Sequence, residues 1–123
     1  MYEYFNPNPL GKSVGDCVVR AISKATGQKW KDTLLALFTY AYNMADMPSS
    51  NAVWGAYLKD RGWHRTAIPD SCPNCYTIKD FCKDHPHGDF IVTTGSHVVS
   101  ISDGCYFDSW DSGLEVPIFY FRR

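Results

Sequence analysis

The amino-acid sequence predicts a single α+β domain that spans residues 1–123, with helices first and an antiparallel sheet after them. Apolar residues recur at helical spacing between residues 16 and 62, whereas β-branched and aromatic residues dominate from residue 89 onward. A chain of 123 residues is long enough for one hydrophobic core and too short for a second.

Three helices are predicted in the first half of the chain. The first runs from about Asp16 to Ala25, and Gly27 is a suitable stop. The second runs from about Lys31 to Ala45 and has a leucine-rich buried stripe. The third begins behind a polar cap at residues 49–51 and ends at Gly62.

Two shorter segments flank these helices. The opening residues Asn6–Gly11 are rich in turn formers and are predicted to be irregular. In the middle of the chain, Thr77 and Asp80 form a capping-box pattern that opens a short helix. That helix is predicted to run to about Asp84, because Pro86 cannot continue it.

The remainder of the chain predicts strands that form an antiparallel meander. Asp103–Gly104 is a strong two-residue hairpin signal, since both turn residues must tolerate positive φ. The four predicted strands are Asp89–Thr94, Val98–Ser102, Cys105–Trp110 and Val116–Phe121.

Charge and hydropathy argue against two classes of partner. The formal net charge is −1, so the chain has no overall positive field that would attract nucleic acid or anionic lipid. No apolar stretch approaches the length of a membrane span, and the first residues lack the basic and apolar regions of a signal peptide. We therefore expect neither a nucleic-acid partner nor a membrane.

The cysteine count predicts the redox state of the thiols. Five cysteines are an odd number in a sequence without a recognisable export signal. This pattern favours reduced thiols and a cytoplasmic location over a disulfide framework.

The hairpin register predicts a contact between an imidazole and a carboxylate. If Asp103–Gly104 forms the turn, Ser102 lies opposite Cys105. The same register places Asp108 diagonally across from His97 on one face of the sheet, within reach of its side chain. A carboxylate in that position orients the imidazole ring and raises its basicity.

A candidate nucleophile lies at the start of the first predicted helix. Cys17 follows Gly15 and Asp16, at a point where unpaired N–H groups and the helix dipole stabilise a thiolate. Cysteine, histidine and an orienting carboxylate form a set suited to nucleophilic acyl transfer.

These residues resemble the papain-like cysteine peptidase superfamily, in particular its compact bacterial and phage members akin to bacteriocin-processing peptidases. The resemblance rests on Gly15–Cys17, on Gly95–Val99 and on Tyr106–Asp108, and it covers nearly the whole chain in element order. It implies a papain-like fold with Cys17 as nucleophile, His97 as general base and then acid, and Asp108 as the group that orients His97.

The resemblance also implies a substrate and a reaction. A peptide or isopeptide bond of a peptide or protein substrate is cleaved through an acyl-enzyme, in the cytoplasm of a bacterium or a phage-infected host. Papain-like enzymes place a glutamine shortly before the nucleophile, but the only glutamine here is Gln28. Asn8 or Asn6 is the substitute donor for the oxyanion, with Asn8 preferred, beside the backbone N–H of Cys17.

Other interpretations of the same residues remain open. Cys17 taken alone also fits a small buried hydrophobic residue, and His97 and Asp108 taken alone fit a core histidine and a surface carboxylate. The same triad serves amidases and acyl transferases. A non-catalytic protein that keeps the fold, such as a phage inhibitor of a host protein, is the alternative from another functional class.

A second cluster suggests a metal site as an alternative. Cys72, Cys75, Cys82 and His85 have a spacing that could close a tetrahedral zinc site, although the two pairs are close together for a common zinc module. A redox-active dithiol is a further alternative. The simpler interpretation is a loop of reduced thiols beside a helix that buries Cys82. No cofactor is therefore expected, with zinc as the alternative, and the sequence predicts no oligomeric state.

Overall fold

A computed structural model describes residues 1–123 as an α+β structure with four helices and one six-stranded mixed sheet. The helices are α1 (Cys17–Thr26), α2 (Trp30–Met44), α3 (Asn51–Asp60) and α4 (Ile78–Asp84). The strands are β1 (Tyr2–Tyr4), β2 (His64–Ala67), β3 (Asp89–Thr93), β4 (Val98–Ser102), β5 (Cys105–Asp108) and β6 (Phe119–Arg122). None of the four helices has the length and apolar run needed to cross a bilayer.

The sheet is more complex than the predicted antiparallel meander. Its strand order is β1-β5-β4-β3-β6-β2, and β1 pairs parallel with β5. Only β3, β4 and β5 form a meander, because β6 returns to pair with β3 rather than β5. The prediction that the strands form one purely antiparallel meander after the helices is therefore wrong.

The two strands that the sequence analysis missed give weak local signals. β1 has only three residues, which is too short to show an alternating pattern. All four residues of β2 are exposed, so this strand has no buried face to mark it. Both strands lie at the edges of the sheet, where they are defined by pairing with distant strands.

Two of the predicted strands have boundaries that differ from the structure by two residues or more. β5 ends at Asp108 rather than Trp110, because the Asp108 carboxylate accepts the backbone N–H of Ser109 at 2.8 Å and turns the chain. The last strand covers Phe119–Arg122 instead of Val116–Phe121, since Pro117 has no N–H to donate to a ladder. The predicted irregular segment at residues 6–11 is confirmed.

The predicted hairpin between β4 and β5 is confirmed. Asp103 and Gly104 have φ values of 47° and 77°, which a tight two-residue turn requires. Ser102 lies opposite Cys105, in the register that the turn predicts. This register fixes which side chains of β4 and β5 share a face.

Local signals place the helices within one or two residues of their predicted ends. Gly27 caps α1 in the left-handed conformation. The capping box of α4 is present, since the Thr77 side chain accepts the Asp80 N–H and the Asp80 carboxylate accepts the Thr77 N–H. Asp16 precedes α1 but makes no side-chain capping bond, which frees its carboxylate for other partners.

The helices cover both faces of the sheet. Helices α1 and α3 pack on one face, where buried side chains from them meet Ile91, Val98, Phe119 and Phe121. Helix α4 packs on the other face against Phe90, Val92, Val99 and Ile101. This arrangement brings the start of α1 against β4, next to the loop that precedes it.

The prediction that all cysteines are reduced is wrong at one pair. Cys72 and Cys75 form a disulfide, and their Cα atoms are 4.2 Å apart across a loop that contains Pro73. The prediction rested on the odd cysteine count and the compartment, which say nothing about local loop geometry. Cys17, Cys82 and Cys105 are free thiols.

Candidate active site

Cys17 is the first residue of α1 and is partly exposed. Its position at the helix start places the thiol beside backbone N–H groups that have no intrahelical acceptor. The thiol also receives a hydrogen bond from the backbone N–H of Val98, at the start of β4. These donors favour the thiolate over the thiol.

His97 lies immediately before β4, between Asp108 and Cys17, the two residues predicted to interact with it. Its Nε2 atom is 2.6 Å from the Oδ2 atom of Asp108. Since Nε2 is bonded to Asp108, Nδ1 is the ring nitrogen that can interact with the Cys17 side chain. The backbone of His97 is fixed by its N–H bond to the Thr94 hydroxyl at 3.1 Å, and the Trp110 ring packs on the imidazole with centroids 4.8 Å apart.

The pKa values of Cys17 and His97 shift in opposite directions. Burial alone would raise the pKa of the Cys17 thiol, but the hydrogen bonds with His97 and Val98 and the positive charges of His97 and Arg20 outweigh it, so the pKa lies below its usual range. Burial alone would lower the pKa of His97, but its bonds to Asp108 and Cys17 raise it to about 9. Both shifts favour the thiolate–imidazolium form of the pair over the neutral form.

Asp108 is completely buried and accepts four hydrogen bonds. Its Oδ1 atom accepts from Arg20 Nη2 and from the Ser109 N–H, both at 2.8 Å. Its Oδ2 atom accepts from His97 and, at 2.6 Å, from the Ser112 hydroxyl. Burial tends to raise the pKa of this carboxyl, but the bonds from His97 and Ser112 and the nearby cations lower it overall. The carboxylate is ionised and held in one orientation.

Arg20 is a member of the site that the sequence analysis missed. Its side chain is buried, and its guanidinium bridges Asp108 and the Asp16 carboxylate. The other oxygen of Asp16 accepts the indole N–H of Trp30 at 2.8 Å. One signal was present in the sequence: Asp16 and Arg20 are four residues apart, which places them on one face of the predicted helix.

The Asn8 and Asn6 side chains make hydrogen bonds within the N-terminal loop. The Asn8 side-chain oxygen accepts the backbone N–H groups of Leu10 and Lys12, which closes the N-terminal loop. Asn6 donates its amide to the Lys12 carbonyl in the same loop. No hydrogen bond joins either asparagine to Cys17, and both proposed oxyanion donors, the Asn8 side chain and the backbone N–H of Cys17, stay predictions.

A cavity of about 300 Å³ opens beside Cys17. Its walls come from the start of α1, from α2 and from the loop between α2 and α3, and they include Val14, Cys17, Trp30, Leu34 and Pro48. The one charged residue among its walls, Asp16, is already paired with Arg20. An acyl group bound here meets a mainly apolar surface.

The cysteine and histidine residues weighed as a zinc site do not come together. Cys72 and Cys75 are bonded to each other, and Cys82 is buried on α4, where burial raises its pKa to about 11. The Nδ1 atom of His85 bonds to the Phe81 carbonyl at 2.9 Å. No group of three or more possible ligands forms anywhere in the structure.

Comparison with protein-family models, with curated proteins and with solved structures finds no match for this chain.

Proposed function

We propose that the protein is a thiol hydrolase of the papain-like type that cleaves a peptide or isopeptide bond. The observation that carries this proposal is one continuous arrangement: the Cys17 thiol lies at a helix start, His97 lies close enough to lower its pKa, and the Nε2 atom of His97 is bonded to the buried Asp108. A core histidine or a structural cysteine has no need of this arrangement, whereas an acyl-transfer site needs all of it.

The chemistry follows from the charge state of the pair. The Cys17 thiolate attacks the substrate carbonyl carbon, and the developing oxyanion is held by the Cys17 backbone N–H. The His97 imidazolium gives its proton to the leaving amine, which departs and leaves an acyl group on the sulfur. Neutral His97 then takes a proton from water as the water attacks the thioester, and collapse of the second intermediate releases the acid and restores the thiolate. Asp108 holds the ring in position through both steps.

The surroundings of Cys17 support a polypeptide substrate. The cavity beside the thiol is mainly apolar and its one acidic group is paired, so it suits an uncharged side chain better than a charged headgroup or sugar. We place the reaction in the cytoplasm, because the partly exposed Cys17 has to stay reduced to act as a nucleophile.

An acyl-enzyme on Cys17 is the direct test of this proposal. Incubation with a peptide thioester should add the acyl mass to the proteolytic fragment that contains Cys17, and hydrolysis of the thioester should follow. Cys17→Ala should lose both and keep its fold, whereas Cys105→Ala, which removes another partly exposed thiol, should retain both. Hydrolysis that continues unchanged in Cys17→Ala would exclude the mechanism. Absence of any acylation in the wild type would favour a binding protein that keeps the site without turnover.

A further inference from the structure

Basic side chains collect at one edge of the sheet, although the whole chain has a net charge of −1. His64 and Arg65 open the edge strand β2, and Lys59 of α3 lines the same open cavity of about 610 Å³. Arg122 lies opposite His64 on β6, and Arg123 follows it. We call these five residues the basic edge. None of them takes part in a salt bridge, and no acidic residue lines the cavity of Lys59, His64 and Arg65, whereas Asp89 lines a smaller pocket with Arg122 and Arg123.

Aromatic rings hold two of these arginines in place. The Arg65 guanidinium lies 4.1 Å from the centroid of the Phe119 ring, and that of Arg123 lies 4.9 Å from Trp63. Stacking occupies the flat face of a guanidinium and leaves the N–H groups at its rim free for carboxylate oxygens. The two stacked arginines are therefore held in orientations that suit the binding of anionic oxygens.

The strand beside these side chains has an unpaired outer edge. β2 ends the sheet order and pairs only with β6, and all four of its residues are exposed. Such an edge offers backbone N–H and C=O groups to an added strand. Trp63, next to β2, also has an indole N–H that is buried without an acceptor.

We propose that β2 binds an extended, acidic polypeptide segment of a partner protein, which adds to the sheet as a further strand and sets its carboxylates against the basic edge. A single-stranded nucleic acid fits less well, because Phe119 and Trp63 are buried and offer no face on which a base stacks. His97 lies next to β4, and two strands, β3 and β6, separate β4 from β2. At the usual strand spacing, β2 is therefore about 14 Å from β4. The docking site is thus separate from the candidate active site.

Fluorescence anisotropy with matched peptides tests this proposal. The probe is a dye-labelled peptide of alternating glutamate and threonine, about eight residues long. It should bind, whereas the same peptide with lysine in place of glutamate should not. A version N-methylated at every residue keeps the charge but cannot form the strand ladder, and it should bind at least about tenfold more weakly. Raising the salt from about 0.05 M to about 0.5 M should also weaken binding.

Charge-reversal variants locate the site. The double variant Lys59→Glu/Arg65→Glu should bind the acidic peptide at least about tenfold more weakly. Lys31→Glu, an exposed change on α2, should bind as the wild type does. Alkylation of Cys17 at the wild-type rate shows that the double variant is folded. Unchanged binding by that variant, equal binding of the N-methylated peptide, or tighter binding of an oligothymidylate would each overturn the proposal.

Discussion

Replacing His97 by alanine is expected to lower the rate of substrate hydrolysis by about 10²–10⁴-fold. The change removes both the proton donor for the leaving amine and the positive charge that stabilises the Cys17 thiolate. The fold should be retained, since His97 lies in the loop before β4 and its ring is partly exposed. Steady-state kinetics at pH 7 with a peptide amide substrate, whose leaving group is an amine, would measure the loss.

His87→Ala is the matched control for this variant. His87 is exposed, and it makes no hydrogen bond to Cys17, His97 or Asp108. The His87→Ala variant should therefore hydrolyse the substrate at the wild-type rate. If His97→Ala also kept that rate, the imidazole would not be the general acid and base, whatever its distance from Cys17.

Replacing Arg20 by methionine is expected to lower the free energy of unfolding by about 3–5 kcal/mol. Methionine fills much of the space of the arginine stem, but it leaves Asp16 and Asp108 as two buried carboxylates without their shared cation. Such groups stay ionised at high cost or must take up protons. Unfolding in guanidinium chloride, followed by tryptophan fluorescence, would give the difference.

One further variant separates the charge of Arg20 from its shape, and a second serves as a control for the loss of a cation. Arg20→Lys keeps one positive charge but lacks the planar fork that reaches two carboxylates, so its stability should lie between those of wild type and Arg20→Met. Lys31→Met removes an exposed cation from α2 and should change stability by no more than about 0.5 kcal/mol. A midpoint for Arg20→Met equal to that of the wild type would contradict a structural role for the bridge.

The parts of the fold that the sequence predicts are those with local causes. The α4 capping box, Gly27 after α1 and the Asp103–Gly104 turn each act within a few residues, and the structure confirms all three. The turn alone predicted that Asp108 lies within reach of His97, because hairpin register follows from turn geometry.

The missed features depend on residues far apart in the chain. β1 and β2 are short or exposed, and they exist because β5 and β6 pair with them. Arg20 could be expected to bond Asp16 in the next turn of α1, but its contact with Asp108 spans 88 positions and needs the packing of α1 on the sheet. Single-sequence patterns do not carry that information.

The most direct test of the thiolate–imidazolium pair is the pH dependence of Cys17 alkylation by iodoacetamide, mapped by peptide mass spectrometry. Cys105 provides an internal comparison, since it is the other partly exposed free thiol. We expect Cys17 to react at pH values below the midpoint of a free cysteine, about 8.5, because its pKa is lowered. In His97→Ala, burial remains while the hydrogen bond and the charge are lost, so the midpoint should move upward. A Cys17 that reacts like a free cysteine, with the same midpoint in both proteins, would contradict the ion pair and with it the proposed hydrolase.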